Sequence, residues 1–194
     1  MALLGLLALP PATDAAVVPD LSEKDRARLD AGRLVLQQDT TESEAQLVGL
    51  MLIGAPRETV LAAVLDFTSQ STRTSNLKSA TPYVDVTLPG GERDIRVAYE
   101  LEIVGRTVRY HLTHTVSGDG TQVHWSLDGD KPNDVEQVDG SFELVPREGA
   151  TLAVYRSRLD TGMRVPDFVA RILSESALKG YLRGVRDRSI ELTK

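Results

Sequence analysis

Through the centre of the chain apolar and polar residues alternate, and this period of two predicts antiparallel strands. Three turn signals divide the run between Val84 and Leu127: Gly90-Gly91, Gly105-Arg106 and Asp119-Gly120. Turn type and loop length set strand register. A two-residue Gly90-Gly91 turn puts Val86 opposite Ile95 and Val84 opposite Val97. Gly105-Arg106, read as a II′ turn, puts Leu101 opposite Tyr110, Tyr99 opposite Leu112 and Val97 opposite His114. Asp119-Gly120 puts Val116 opposite Val123, His114 opposite Trp125 and Leu112 opposite Leu127. All three registers gather apolar residues on one face, with Val84, Val97, His114 and Trp125 as a row across four strands. The other face carries Asp85, Arg96, Glu100, Arg109, His111, Thr113, Thr115, His124 and Ser126. One dry face and one wet face mark an antiparallel sheet covered on one side.

The flanks add helices and two outer strands. Leu21 to Arg26 predicts a short helix with Ser22 as N-cap and Asp25 at the capping-box position, ended by Gly32. Leu34-Val35-Leu36 reads as a short extended piece, and Ala45 to Ile53 as a buried strand. Pro56 sits in the first turn of a helix whose apolar face is Val60, Leu61, Val64 and Leu65. Thr68 to Ser79 is polar and reads as a loop with weak helix. A hairpin around Arg147-Glu148-Gly149, taken as a three-residue turn, sets Phe142 opposite Val154 and Leu144 opposite Leu152. That register turns Arg156 and Arg158 to the dry face. The last helix starts at Val165-Pro166-Asp167 and repeats Phe168, Ile172, Leu178, Tyr181, Leu182 and Val185 at helical spacing.

The expected fold is α+β, a helix-grip arrangement. A curved antiparallel sheet of about seven strands wraps a long C-terminal helix, with two short helices after the first strand. A helix about 10 Å wide cannot fill the concave face of so wide a sheet. Aromatic residues are only 5% of the chain, too few to fill the rest. An apolar cavity is therefore expected. Its lining is assigned to Val97, Tyr99, Tyr110, Leu112, His114, Trp125, Phe142 and Arg156 from the sheet, and to Phe168 and Ile172 from the helix. A buried His114 would be neutral, giving one hydrogen bond and accepting one, either to a ligand or within the core. An inward Arg156 would select an anionic head group; alternatively it is an edge arginine whose stem lies along the sheet.

Composition narrows the function classes. The 194 residues suit one domain, and a net charge of −6 without a basic block argues against nucleic acid. The chain has no cysteine, which excludes disulfides, thiolate metal sites and a cysteine nucleophile. His111 and His114, three apart on a strand, fall on opposite faces and do not pair on a metal. No cofactor or catalytic residue is assigned. Residues 1–20 read as a leader: Ala2 to Leu9 is apolar, Thr13 and Ala15 fit a cleavage site, and the first basic residue is Lys24. The run is too short to span a bilayer. The expectation is a periplasmic or secreted protein, otherwise cytoplasmic, with its domain over residues 21–194.

Ala55-Pro56-Arg57-Glu58-Thr59-Val60, followed by Val64-Leu65-Asp66-Phe67, resembles the START-related superfamily, also called polyketide cyclase/dehydrase-like, which includes coenzyme Q-binding proteins. Trp125, Gly140-Ser141-Phe142-Glu143-Leu144-Val145-Pro146, Tyr155, Asp160, Gly162 and Val165-Pro166 continue the match over about residues 34 to 192. The resemblance implies a helix-grip fold and binding or transfer of a lipid, quinone or other hydrophobic ligand. It implies no reaction, because fold is not function. Quinone binders of this kind tend to carry aromatic and proline residues after the Asp-Phe pair, whereas Thr68 to Asn76 is polar here. The departure argues against a membrane-docking gate and against coenzyme Q.

The sequence thus points to a binder of a hydrophobic small molecule: lipid, fatty acid, isoprenoid or polyketide-like. Membrane contact would be transient at most, and the oligomeric state is open. One alternative is an aromatase/cyclase-type enzyme using His114 or Tyr110 for proton transfer. Another is a partner-binding module with a filled core.

Overall fold

A computed structural model describes residues 18–40, 45–103, 105–160 and 167–194. The leader expected over residues 1–20 therefore lies, up to residue 17, outside the described residues. Helix α1 (Glu23–Asp30) is followed by strands β1 (Val35–Thr40) and β2 (Ala45–Ile53). Helices α2 (Arg57–Val64) and α3 (Phe67–Gln70) come next. Strands β3 (Leu77–Thr87), β4 (Arg93–Ile103), β5 (Arg106–Val116), β6 (Gln122–Leu127), β7 (Gln137–Arg147) and β8 (Ala150–Asp160) lead to α4 (Asp167–Leu192). One antiparallel sheet takes the order β1-β2-β8-β7-β6-β5-β4-β3. The α+β class holds. The eighth strand is β1, which extends the short piece at Leu34-Val35-Leu36.

Local chemistry explains the ends of the elements. The Ser22 hydroxyl accepts from the Asp25 backbone N–H and donates to its carboxylate, which fixes the start of α1. Gly32, at φ 68°, takes the left-handed turn that ends it. The largely apolar nine residues of β2, polar only at Gln46, have a cause on each face. Met51 and Ile53 join the main core under α2 and α4. Val48 and Leu50 join a second core with Leu29 of α1, Val35, Leu152 and Val154. A strand covered on both sides needs no alternation.

Registers test the turn chemistry strand by strand. Between β5 and β6 the expectation holds throughout: Val116, His114 and Leu112 oppose Val123, Trp125 and Leu127. Between β4 and β5 Gly105 lies inside the turn, with Ile103 opposite Arg106. The register moves by two residues, pairing Tyr99 with Tyr110, Val97 with Leu112 and Ile95 with His114. An even shift leaves every side chain on its face.

Two hairpins shift by one residue and flip a face. The β3–β4 loop is longer than Gly90-Gly91, closed by the Leu88 N–H on the Glu92 carbonyl. The longer loop puts Val84 opposite Arg96, and a bulge between Val84 and Pro82 then puts Pro82 opposite Val97. Proline has no N–H for the ladder and is at home on this edge strand. Val84 therefore leaves the inner row, which runs Ile95, His114, Trp125, Gly140. The β7–β8 turn is Glu148-Gly149 alone, with Arg147 opposite Ala150. Phe142 faces Tyr155, not Val154, and Leu144 faces Ala153. Arg156 and Arg158 consequently point outward, opposite Ser141 and Asp139.

Gly140 marks the sharpest packing in the sheet. A Cβ there would stand 2.2 Å from the Arg156 carbonyl oxygen and 2.5 Å from Cζ2 of Trp125. Gly140→Ala should therefore lower stability by about 2–4 kcal/mol in urea unfolding. Gly54→Ala, with nothing within 4 Å of its Cβ, should change it by less than about 0.5 kcal/mol. Equal effects of the two substitutions would remove Gly140 as a packing constraint.

Candidate functional site

Inner positions of the sheet place aromatic side chains side by side, because residues two apart on a strand share a face. Tyr99 of β4 and Tyr110 of β5 are cross-strand partners and stack, with centroids 5.2 Å apart and planes at 14°. His114, two positions beyond Leu112, lies 6.1 Å from the Tyr99 ring, 6.4 Å from Trp125 and 4.9 Å from Phe67 of α3. Trp125 reaches Tyr155 of β8 at 5.2 Å. Tyr155 meets Tyr181 of α4 at 5.8 Å, and Phe142 packs edge-on against both. The rings form a continuous wall from β4 around to α4.

His114 sits where the pattern puts it, and its hydrogen bonds are internal. Its Nδ1 lies 3.3 Å from the Ile95 carbonyl, so that nitrogen carries the proton and donates. Nε2 is then the acceptor, and the Tyr99 hydroxyl donates to it across 3.3 Å. Burial lowers the imidazole pKa to about 4, against the opposing pull of the Ile95 carbonyl. The ring is neutral near pH 7, and both nitrogens are spoken for by the protein. His114 is wall rather than ligand anchor.

The tyrosines differ from one another. Burial pushes the phenols of Tyr99, Tyr110, Tyr155 and Tyr181 above their ordinary ionisation range. Ser157 beside Tyr155 opposes the rise of that phenol. The hydroxyls of Tyr110 and Tyr181 have no hydrogen-bond partner among the described residues. Tyr110, Tyr155 and Tyr181 also keep part of their surface accessible despite their depth. Deep rings with open surface are what the lining of a hollow looks like. Val97, Leu112 and Phe142 keep almost none and form packed core beneath the rings.

Not every assigned residue joins this wall. Arg156 is on the opposite face of the sheet, ion-paired with Glu143, and Arg158 pairs with Asp139 at 2.9 Å. The reason is the one-residue flip of β8. The side chains of Phe168 and Ile172 lie outside the described residues. Tyr155, Tyr181 and Phe67 join the wall without having been assigned to it. Tyr155 was hidden by the β7–β8 register, and Tyr181 was visible only as one of several apolar positions on its helix.

Two recesses lie near these elements. A shallow depression of about 370 Å³ lies on the outer face, lined by Thr113, Thr115, His124, Ser126, Asp139 and Ser141. Its walls are mostly polar and open, and Trp125 of the aromatic wall also borders it, beside Gly140. A cleft of about 10 Å³ lies between α3 and α4, bordered by Gln70, Arg73, Gly184, Arg188 and Tyr181. Arg73 spans it to Glu191 at 3.0 Å, and Arg188 reaches Asp66 at 2.7 Å. The polar stretch after Phe67 is thus clasped to α4 by ion pairs.

No protein-family model matches the chain, and no curated protein matches it in sequence. Solved structures do. A STAR-related lipid transfer protein from Xanthomonas axonopodis aligns with a TM-score of 0.63 at 16% identity, covering 83% of this chain and 94% of that one. A START superfamily protein from Mycobacterium smegmatis gives 0.61 at 16%, covering 76% and 98%. The Zhui aromatase/cyclase from Streptomyces gives 0.58 at 10%, covering 77% and 95%. At these identities the likeness is one of fold: the helix-grip fold shared by START-superfamily proteins and aromatase/cyclases.

The depressed His114 pKa makes stability depend on pH. The unfolded chain takes up the histidine proton first as pH falls, so the folded state loses ground from about pH 6.5 down to about pH 4. Wild type should lose about 2 kcal/mol from this group between about pH 7.5 and about pH 5, and His114→Gln should lack that slope. Urea unfolding of both proteins across this range is the check. Identical slopes would mean that His114 is not buried in its neutral form.

Proposed function

We propose that the protein binds a hydrophobic small molecule in the hollow between the concave sheet and α4, and carries it rather than transforms it. The observation behind this reading is the set of deep tyrosine rings that keep open surface and unpartnered hydroxyls. A filled core would close over such groups, because a buried hydroxyl without a partner is costly. Apart from Arg106 at the exposed start of β5, inner strand positions from Ile95 to Ser157 carry no charged side chain among the described residues. Such a wall suits a lipid, isoprenoid or polyketide-like molecule. The fold shared with a protein named for lipid transfer supports the same reading.

A second reading has one observation in its favour. The Tyr99–His114 hydrogen bond is an acid–base pair in the wall, and one fold neighbour is an aromatase/cyclase. Proton transfer would need His114 to accept near neutral pH, and burial holds its pKa at about 4.

Native mass spectrometry of protein from its source organism should show an apolar adduct that is lost on denaturation. Stripped protein should take up Nile red at a single site. Absence of both adduct and dye uptake would sink the binding reading. Arg156→Lys should leave dye affinity within about twofold, since Arg156 faces Glu143 and not the hollow. A large loss with an intact fold would put Arg156 back into the site.

A further inference from the structure

The outer face of the sheet carries a recess that the proposed binding role does not use. It measures about 370 Å³ and lies across neighbouring strands. Thr113 and Thr115 come from β5, His124 and Ser126 from β6, and Asp139 and Ser141 from β7. Register makes these side chains a grid. Thr113 opposes Ser126 and Thr115 opposes His124; across the next ladder Ser126 opposes Asp139 and His124 opposes Ser141. Neighbours stand about 5 Å apart across the strands and about 7 Å apart along them. The side chains of the grid are short. Those beside it are long: Arg96 opposite Thr113, Arg158 opposite Asp139 and Arg156 opposite Ser141. Long side chains around short ones leave a depression. Gly140 brings no side chain to it, and the indole of Trp125 takes the space a Cβ there would need and borders the recess.

The hydrogen-bonding groups of the recess select its guest. The hydroxyls of Thr113, Thr115, Ser126 and Ser141 have no partner among the described residues, and a hydroxyl both donates and accepts. His124 gives its Nε2 proton to Oε1 of Gln122 at 3.1 Å, which leaves Nδ1 as an acceptor. Asp139 is already engaged by Arg158 at 2.9 Å and by Gln137 at 2.7 Å. No lysine or arginine is among the described lining residues, so the recess has no cation of its own for an anion. On the same face Asp94, opposite Thr115, and Glu143, two places beyond Ser141, each keep a buried carboxylate oxygen without a partner among the described residues. The surroundings are thus short of donors, not of acceptors. An apolar guest would bury the hydroxyls unpaired. A neutral guest rich in hydroxyls gives and takes at each position, and its carbon skeleton has Trp125 to lie against. We infer that the outer recess binds a neutral polyhydroxyl compound, a sugar or cyclic polyol, through Thr113, Thr115, Ser126 and Ser141. This site is on the face of the sheet opposite the proposed hydrophobic one and does not depend on it.

Trp125 is the chain's single tryptophan, so its fluorescence reports on the recess, and amide resonances of β5, β6 and β7 locate the contact. The probes are D-glucose, D-galactose, D-mannose, N-acetyl-D-glucosamine and myo-inositol, each free in solution. D-glucuronate and glucose 6-phosphate are the anionic counterparts, and immobilised glycans ending in the same sugars form the other arm. At least one neutral probe should saturate with a Kd of about 0.1–10 mM, since its hydrogen bonds replace those to water. It should shift the resonances of Thr113, Thr115, Ser126 and Ser141. The double variant Thr113→Val/Thr115→Val exchanges hydroxyls for methyls and should weaken that probe about tenfold or more. Ser126→Leu should fill the recess and abolish binding. An unchanged melting temperature confirms the fold of both variants, and unchanged Nile red uptake separates this site from the hydrophobic one. Binding of free sugars alone assigns the recess to a small solute; binding of the glycans alone assigns it to the end of a longer chain. Silence of every neutral probe in both arms overturns the inference. So do equal or tighter binding of the anions and a response that survives in both variants. Concentration-dependent shifts of the same resonances, with no effect of any sugar, would make the face a contact for a second copy and overturn it as well. None of these outcomes touches the proposed hydrophobic site, which the Nile red measurement tests by itself.

Discussion

The seating of α4 on Gly49 is the contact from which the rest of the architecture follows. A Cβ at Gly49 would stand 2.6 Å from Cδ1 of Leu182 and 3.3 Å from Cδ2 of Leu178. With no side chain there, the helix comes down onto β2, and Leu178 and Leu182 are buried against it. A twisted sheet cannot follow a straight helix across eight strands. Close contact on β2 therefore means a gap over the far strands. Residues of those strands must reach across it with their own side chains, and tyrosine and tryptophan have the length. All the aromatic residues except Tyr83 and Phe168 meet in the wall between β4 and α4, Phe168 lying outside the described side chains. Room beside those side chains is what the proposed binding role requires.

Charge is sorted by the same sheet. Its outer face pairs Arg109 with Glu100, Arg158 with Asp139 and Lys78 with Glu102 across neighbouring strands, while Arg93 and Asp85 pair at the exposed end of the inner face. Such exposed pairs add little stability one by one. They do fix which face is wet, since an odd register slip would carry these groups into the aromatic wall. The ion pairs from Asp66 and Arg73 to α4 act differently. They hold α3 and the turn after it over the helix near Tyr181, with Arg73 packed 3.1 Å from where a Gly184 Cβ would be. The polar stretch that set this chain apart from a membrane-docking gate is a clasp within the domain.

How much of this was legible in the sequence depends on parity. Gly105 was misplaced within its turn by an even step, so Tyr99, Tyr110, His114 and Trp125 could still be read as one face. Glu148-Gly149 was misread by an odd step, and Arg156 and Tyr155 exchanged faces. Alternation gave no warning there. Leu152 and Val154 on one side and Ala153 and Tyr155 on the other are all apolar, because α1 covers the outer face of that end of the sheet. Pro82 carried a usable signal, since proline on a strand marks an edge or a bulge. The unpartnered state of Tyr110 and Tyr181 carried none. It depends on what the tertiary structure fails to place beside a hydroxyl, and no local pattern encodes that.

The ionisation of the wall bears on what the hollow can do with a guest. General acid–base chemistry works best when a group's pKa lies near the working pH. Burial moves the groups here in opposite directions, His114 down to about 4 and the phenols up. A proton passed from Tyr99 to His114 would leave a phenolate beside an imidazolium in surroundings that penalise both charges. The same separation benefits a container. Groups that keep their protons hold the hydrogen-bond pattern constant across neutral pH, and an uncharged wall lets an apolar molecule enter without stripping water from an ion. The desolvation that separates these ionisations also keeps the wall's hydrogen-bond pattern constant near neutral pH, in keeping with the proposed carriage of a guest.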